Sequence, residues 1–169
     1  MTMKLSIRLG NFLQLFMLCL AIVIAFIADH IFPFLISTII FWYFSHCLTH
    51  YIVGSIFKIR FSYYFITTSS IKKLRGFKSI SKYFYTLGIK IDWEKSKSGK
   101  IGFVVMFISG ALASILCPFL IVLIAYVRSF KFESITLSAL WILNTMFTLY
   151  FSSKVGDIHK AKRALKSDF

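Results

Sequence analysis

The chain has 169 residues, of which 58% are hydrophobic and 18% aromatic, and its formal net charge is +14. This composition excludes an ordinary soluble domain and is typical of a compact integral membrane protein. DNA or RNA binding is only a minor alternative, because no nucleic-acid-binding motif accompanies the positive charge.

Four apolar runs predict four membrane-spanning helices. They cover residues 12–28, 34–57, 101–127 and 135–151, and each is close to the roughly 20 residues that cross the hydrocarbon core. The first run is expected to be a retained helix, because Phe26 stands where a signal-peptide cleavage site needs a small residue. Pro33 favours the start of the second helix. The predicted fold is therefore an all-α membrane protein forming a single domain, residues 1–169.

The basic residues are distributed unevenly between the two predicted sides of the membrane. Of the 20 Lys and Arg residues, 2 precede the first run, 11 lie in residues 58–100 and 5 follow the fourth run. Only Arg128 and Lys131 lie on the other side. The positive-inside rule then places both termini and residues 58–100 in the cytoplasm. Part of this charge is expected to contact anionic lipid headgroups of the bilayer.

Residues 58–100 are too polar to cross a membrane and are predicted to form a small cytoplasmic β-element between the second and third spans. Residues 59–66 and 83–93 are rich in β-forming side chains with partial alternation, and they predict two short strands. Residues 67–81 between them, with their Ser, Thr, Gly and basic residues, predict a loop.

Two histidines within the second apolar run form the main candidate site. His46 and His50 are four residues apart, so they lie on one face of a helix about one turn from each other. Asp157, just beyond the fourth run, is expected at a similar cytoplasmic depth. Two imidazoles and one carboxylate are the protein ligands of a catalytic zinc site, in which a fourth position binds water. The sequence therefore predicts zinc bound by His46, His50 and Asp157.

The same residues carry a resemblance to a known family. His46-x-x-x-His50, then Tyr51-x-x-Gly54 and the strand-like residues 59–66, resembles the core of site-2-protease-like (M50-type) intramembrane zinc metalloproteases. The resemblance covers roughly residues 42–166. It implies that Asp157 is the third zinc ligand, that Asn144 helps to position a substrate backbone, and that the substrate or partner is a transmembrane protein.

One departure from the family pattern bears directly on catalysis. Cys47 occupies the position of the glutamate that acts as general base on the zinc-bound water. A thiol is a poor substitute for that carboxylate, so the catalytic residues are left unassigned. The resemblance then implies a divergent, metalloprotease-like protein in which peptide cleavage is absent or very slow, that is, a pseudoenzyme.

Other interpretations of these residues stay open at this point. The histidine pair would also suit interhelical hydrogen bonds or a small polar cavity, and one histidine could share a haem with a ligand from another helix. Asp157 would equally suit the N-terminus of a helix. Asn144 could bond to a neighbouring helix, and His159 is a spare ligand. The chain would then be a non-enzymatic membrane subunit whose polar residues mediate helix or partner packing.

Overall fold

The computed structural model describes residues 3–68 and 85–166. Within these ranges the chain is mostly helical, with one small sheet. The elements in chain order are β1 (Met3–Leu5), α1 (Ile7–Ile27), α2 (Ile31–Ile56), β2 (Arg60–Thr68), β3 (Tyr85–Asp92), α3 (Lys100–Val127), α4 (Lys131–Lys154) and α5 (Asp157–Lys166).

Four helical segments are long and apolar enough to cross a membrane, as the sequence predicts. They are α1, α2, α3 and the stretch Lys131–Lys166, which contains α4 and α5. Their contacts bury a core of alanine, aliphatic and aromatic side chains that includes Ala21, Ile121 and Phe34. Helix α3 occupies the centre of the arrangement and contacts α2, α4 and α5.

Helix α1 begins five residues before its predicted start at Phe12. The hydroxyl of Ser6 accepts a hydrogen bond from the Leu9 amide at 3.3 Å. A serine in this capping position satisfies one of the amides that a helix leaves free at its N-terminus. The polar residues between Ser6 and Phe12 therefore continue the helix although they interrupt the apolar run.

The sheet contains both predicted strands and a third that the sequence does not reveal. Its order is β1-β2-β3, and both pairings are antiparallel. Strand β1 comes from the N-terminus, so the sheet is not confined to the segment between α2 and α3, as the prediction had it. The predicted loop over residues 67–81 lies, beyond Thr68, outside the described residues.

The sheet is held against α1 and α2 by two contacts. Tyr64 is buried against Gly10, and its hydroxyl donates to Oδ1 of Asn11 at 2.6 Å. A Cβ atom on Gly10 would lie 2.2 Å from the Tyr64 ring, so a glycine is needed at this position. Burial raises the pKa of Tyr64, which keeps the phenol in its neutral, donating form. On α2, the Cys47 thiol donates to the Leu87 carbonyl of β3 at 3.0 Å.

Pro118 within α3 leaves one backbone carbonyl without a helical hydrogen bond, and a side chain of α4 supplies the donor. Proline has no amide N–H, so it leaves the carbonyl four residues earlier, that of Ser114, without its helical partner. The Asn144 side chain of α4 donates to this carbonyl at 3.0 Å. One residue further along, the Trp141 indole donates to the Ile115 carbonyl at 2.8 Å. Asn144 therefore joins α4 to α3, which is the structural one of its two predicted roles.

The chain folds back between α4 and α5. A Cβ atom on Gly156 would lie 2.7 Å from the Ser152 Cα, so the turn requires a glycine. The Ser152 hydroxyl accepts a hydrogen bond from the Ile158 amide at 3.0 Å, which caps the start of α5. Ala161 and Ala164 are buried as α5 packs on α3. This turn places the first residue of α5, Asp157, inside the structure.

Candidate metal centre

The candidate site lies between α2, α3 and the first turn of α5. His46 and His50 lie on the face of α2 that packs against α3. Their imidazole centroids are 4.7 Å apart, and the planes are nearly perpendicular at 86°. The predicted pairing of these two rings on one helical face is therefore confirmed.

Each imidazole uses its Nδ1 atom to bond to α3. His50 Nδ1 lies 2.7 Å from the Met106 carbonyl oxygen, and His46 Nδ1 lies 3.0 Å from the Gly110 carbonyl oxygen. Because a carbonyl oxygen only accepts, both rings carry a proton on Nδ1. His46 Nδ1 also lies 2.9 Å from the Ser114 hydroxyl, which itself donates to Gly110. In the neutral imidazoles the Nε2 atoms then keep their lone pairs, which is the tautomer that ligates a metal.

Asp157 brings a carboxylate oxygen to the same point. Its Oδ2 atom lies 3.0 Å from His46 Nε2 and 3.3 Å from His50 Nε2. Its other oxygen, Oδ1, accepts from the Lys160 ammonium group at 2.8 Å. The carboxylate thus faces α2. Asp157 is also the first residue of α5, as the alternative interpretation predicts, while the Ser152 hydroxyl accepts the hydrogen bond from the Ile158 amide.

The spacing of the three facing atoms is compatible with a tetrahedral metal site. The two Nε2 atoms are 3.3 Å apart, and their distances to Asp157 Oδ2 are 3.0 and 3.3 Å. Zinc-to-ligand bonds of about 2.0 to 2.1 Å separate the ligand atoms of a tetrahedron by about 3.3 Å. N–H···O hydrogen bonds span about 2.7 to 3.2 Å, so the 3.0 Å separation of His46 Nε2 and Asp157 Oδ2 also suits a hydrogen bond. A cation between the three atoms also removes the repulsion of their lone pairs.

The site is closed on one side and open on the other. The side chains of His50 and Asp157 are 7% and 8% exposed, whereas that of His46 is 31% exposed. Three protein ligands are the number found in catalytic zinc sites, where a fourth position would hold water. The partly exposed His46 side chain marks the open side of the site.

Three residues around the site carry no signal in the sequence that identifies them. Gly110 gives room to the His50 ring, Ser114 orients the His46 ring, and Lys160 holds the outer oxygen of Asp157. Gly110 and Ser114 are small residues within the third apolar run, which favours close helix contact but does not point to a metal site. Such partners fix the orientation of metal ligands and are as much a part of a site as the ligands are.

Several candidate residues of the sequence analysis lie away from the cluster. The Cys47 thiol points to the Leu87 carbonyl, Asn144 is bonded to Ser114, and His159 is exposed. His30 pairs with Asp29 in the turn between α1 and α2. Within the described residues, the metal-binding group consists of His46, His50 and Asp157 alone. It contains no second carboxylate to act as a general base.

Comparisons of the chain with protein-family models, with curated proteins and with solved structures found no match.

Proposed function

We propose that this protein is an integral membrane protein that binds one zinc ion through His46, His50 and Asp157. The observation that carries the proposal is the convergence of two Nε2 lone pairs and one carboxylate oxygen at tetrahedral separations. The ion polarises a bound water or carbonyl group and lowers the pKa of the water. Nitrogen and carboxylate ligands in this geometry suit zinc.

The membrane orientation belongs to the same proposal. Both termini and the sheet lie on the cytoplasmic side, which is supported by 18 basic residues on that side against 2 on the other. His46 and His50 lie in the second half of α2, so the zinc site is in the cytoplasmic half of the bilayer. Its surroundings are the lipid bilayer and any transmembrane protein that reaches the open side.

We further propose that the chain is a divergent relative of site-2-protease-like metalloproteases. Support comes from the order of its parts: a helix with His-x-x-x-His, a small sheet, and an aspartate that reaches the histidines from a later helix. The orientation of Cys47 toward β3 supports a loss of rapid proteolysis, because the zinc-bound water then lacks its general base. A metalloprotease-like pseudoenzyme is the function that we assign.

A non-enzymatic role is the second candidate. The same three side chains can share a proton and so link α2 to α5 without a metal, as the 3.0 Å separation of His46 Nε2 and Asp157 Oδ2 allows. In that case the cluster would be an interhelical contact in a membrane subunit that binds a partner. Zinc content distinguishes the two candidates directly.

The test is elemental analysis of the purified full-length protein. The wild type is compared with a His46→Ala, His50→Ala double variant and with a His30→Ala, His159→Ala control, which removes two histidines outside the cluster. We expect close to one zinc per chain in the wild type and control, and a loss of at least 10-fold in the first double variant. Folded, metal-free wild type would contradict the zinc proposal and favour the hydrogen-bonded triad.

A further inference from the structure

The outer face of the sheet carries a basic and aromatic cavity that the zinc site does not use. Lys4 is paired with Phe65 across β1 and β2, and Lys90 is paired with Tyr63 across β2 and β3. Paired residues in a sheet point to the same face, as do residues two apart on one strand. All four side chains therefore project from the face opposite to Tyr64, and they line a cavity of about 230 Å³.

The floor of this cavity is aromatic and its walls are cationic. A Cβ atom on Gly88 would lie 2.6 Å from Cζ of Phe65, so the outer end of the Phe65 ring lies against the glycine. The Tyr63 and Phe65 rings are 6.4 Å apart, and the Lys4 ammonium group is 4.8 Å from the centre of the Tyr63 ring. Among the described residues, neither Lys4 nor Lys90 has an ion-pair partner. The cavity thus presents two uncompensated positive charges beside an apolar surface.

The position of the sheet along the helices decides which anion fits. Lys4 lies only three residues before the first residue of α1, Ile7. On α2, Cys47 contacts β3, and it lies 16 residues after Ile31, which is about 24 Å along a helix. The hydrocarbon core is about 30 Å thick. If α2 crosses the bilayer, the sheet lies beside the helices at the inner boundary of the hydrocarbon, where lipid phosphates are found.

We propose that this cavity binds the headgroup of an anionic glycerophospholipid of the cytoplasmic leaflet. Lys4 and Lys90 pair with the phosphate, while Tyr63 and Phe65 contact the glycerol and the upper acyl chains. Aromatic side chains favour this interfacial depth, and lysines favour anionic lipid there. The proposal rests on the membrane insertion given under the proposed function, but not on zinc.

A neighbouring cavity on the sheet is less suited to an anion, because an acidic side chain lines it. It is larger, about 610 Å³, and it is lined by Arg60, Lys95 and Asp92 among others. Lys95 pairs with Asp92 at 3.3 Å, so a carboxylate already neutralises part of its charge. A lipid phosphate would meet repulsion from Asp92 there, whereas the cavity between Lys4 and Lys90 contains no acidic side chain among the residues that line it.

The test is native mass spectrometry of the full-length protein released from nanodiscs that contain phosphatidylglycerol in excess phosphatidylcholine. We compare wild type, a Lys4→Gln, Lys90→Gln variant and a Lys95→Gln, Lys97→Gln control with the same change in net charge. All four lysines are exposed, so these substitutions leave the fold intact. We expect the dissociation constant for phosphatidylglycerol to rise about 10-fold or more in the first variant and less than 3-fold in the control.

Three outcomes overturn this inference. In the first, all three proteins retain phosphatidylglycerol equally. In the second, both variants lose it equally. In the third, millimolar inorganic phosphate displaces the lipid, which would identify a soluble anion as the ligand. Resistance to alkaline carbonate extraction is measured on the same samples. An extracted protein would contradict the proposed membrane insertion, whereas an inserted protein that shows one of the three outcomes contradicts only the lipid site.

Discussion

A Cβ atom on Gly110 would lie 2.2 Å from Nε2 of His50, so the glycine of α3 and the metal-facing imidazole of α2 share one space. The same glycine accepts the His46 Nδ1 proton on its carbonyl oxygen. One residue without a side chain thus sets the position of both histidine ligands. The close approach of α2 and α3 at Gly110 is therefore a condition for the arrangement of His46 and His50 in the proposed metal site.

The first prediction follows from this approach. Gly110→Ala keeps all three ligands but displaces the His50 ring, and we expect zinc affinity to fall about 10-fold to 100-fold, the usual effect of disturbing the surroundings of a ligand. Affinity is measured by competition with a chromogenic chelator. Gly99→Ala is the control, because a Cβ atom there meets nothing within 4 Å. Equal affinity in both variants would show that the His50 position does not depend on Gly110.

The second prediction concerns Asn144 and Pro118. Asn144→Ala should destabilise the protein by about 0.5 to 1.5 kcal/mol, because the Ser114 carbonyl then loses its donor. In a Pro118→Ala background the backbone amide of residue 118 can donate a hydrogen bond to the Ser114 carbonyl. Asn144→Ala should therefore destabilise this variant less than it destabilises the wild type. Unfolding in detergent is followed for all four proteins of the cycle. An equal loss of stability in both backgrounds would argue against this role of Asn144. Zinc content should stay the same in all four proteins.

The third prediction separates Cys47 from the metal. Cys47→Ala should retain close to one zinc per chain, because the thiol contacts Leu87 rather than the cluster. The isolated change removes a weak hydrogen bond and leaves the ligands in place. Loss of zinc in this variant, with the fold retained, would mean that the sulfur takes part in metal binding.

The fourth prediction is that peptide cleavage is absent or very slow. General acid or base assistance is worth about 100-fold to 10,000-fold, and the described cluster has no second carboxylate beside Asp157 to supply it. Wild type, His46→Ala and Cys47→Glu are compared on unfolded transmembrane substrates in detergent. We expect Cys47→Glu to raise the rate once its carboxylate turns from Leu87 toward the metal. Rapid wild-type cleavage that disappears in His46→Ala would reveal another base.

The fifth prediction tests the orientation in the membrane. Single cysteines are introduced as Lys95→Cys or Ser129→Cys in a chain that lacks Cys19, Cys47 and Cys117. A membrane-impermeant thiol reagent should label the Ser129 site from outside intact cells and the Lys95 site only after permeabilisation. The reverse pattern would invert the proposed topology.

The helices were predictable because hydropathy is a local property of the sequence. The ends of the helices were harder to predict, because the start of α1 depends on the Ser6 cap rather than on apolar residues. Strand β1 has three residues, and only its pairing with β2 makes it a strand. A segment this short has no periodicity from which a strand can be inferred.

The candidate site was predictable to a similar extent. The spacing of His46 and His50 reveals a shared helical face, and both share a depth with Asp157. The contact itself depends on the turn at Gly156, which is a tertiary feature. The role of Asn144 was left open, although Pro118 in the same sequence marks a carbonyl that needs a donor.

The most direct test of the zinc site is X-ray absorption at the zinc edge of the purified wild-type protein. The His46, His50 and Asp157 site predicts four nitrogen or oxygen neighbours at about 2.0 to 2.1 Å, with outer-shell scattering from two imidazoles. His46→Ala, His50→Ala should abolish this spectrum. A sulfur neighbour at about 2.3 Å, or wild-type protein that binds no zinc, would contradict the assignment.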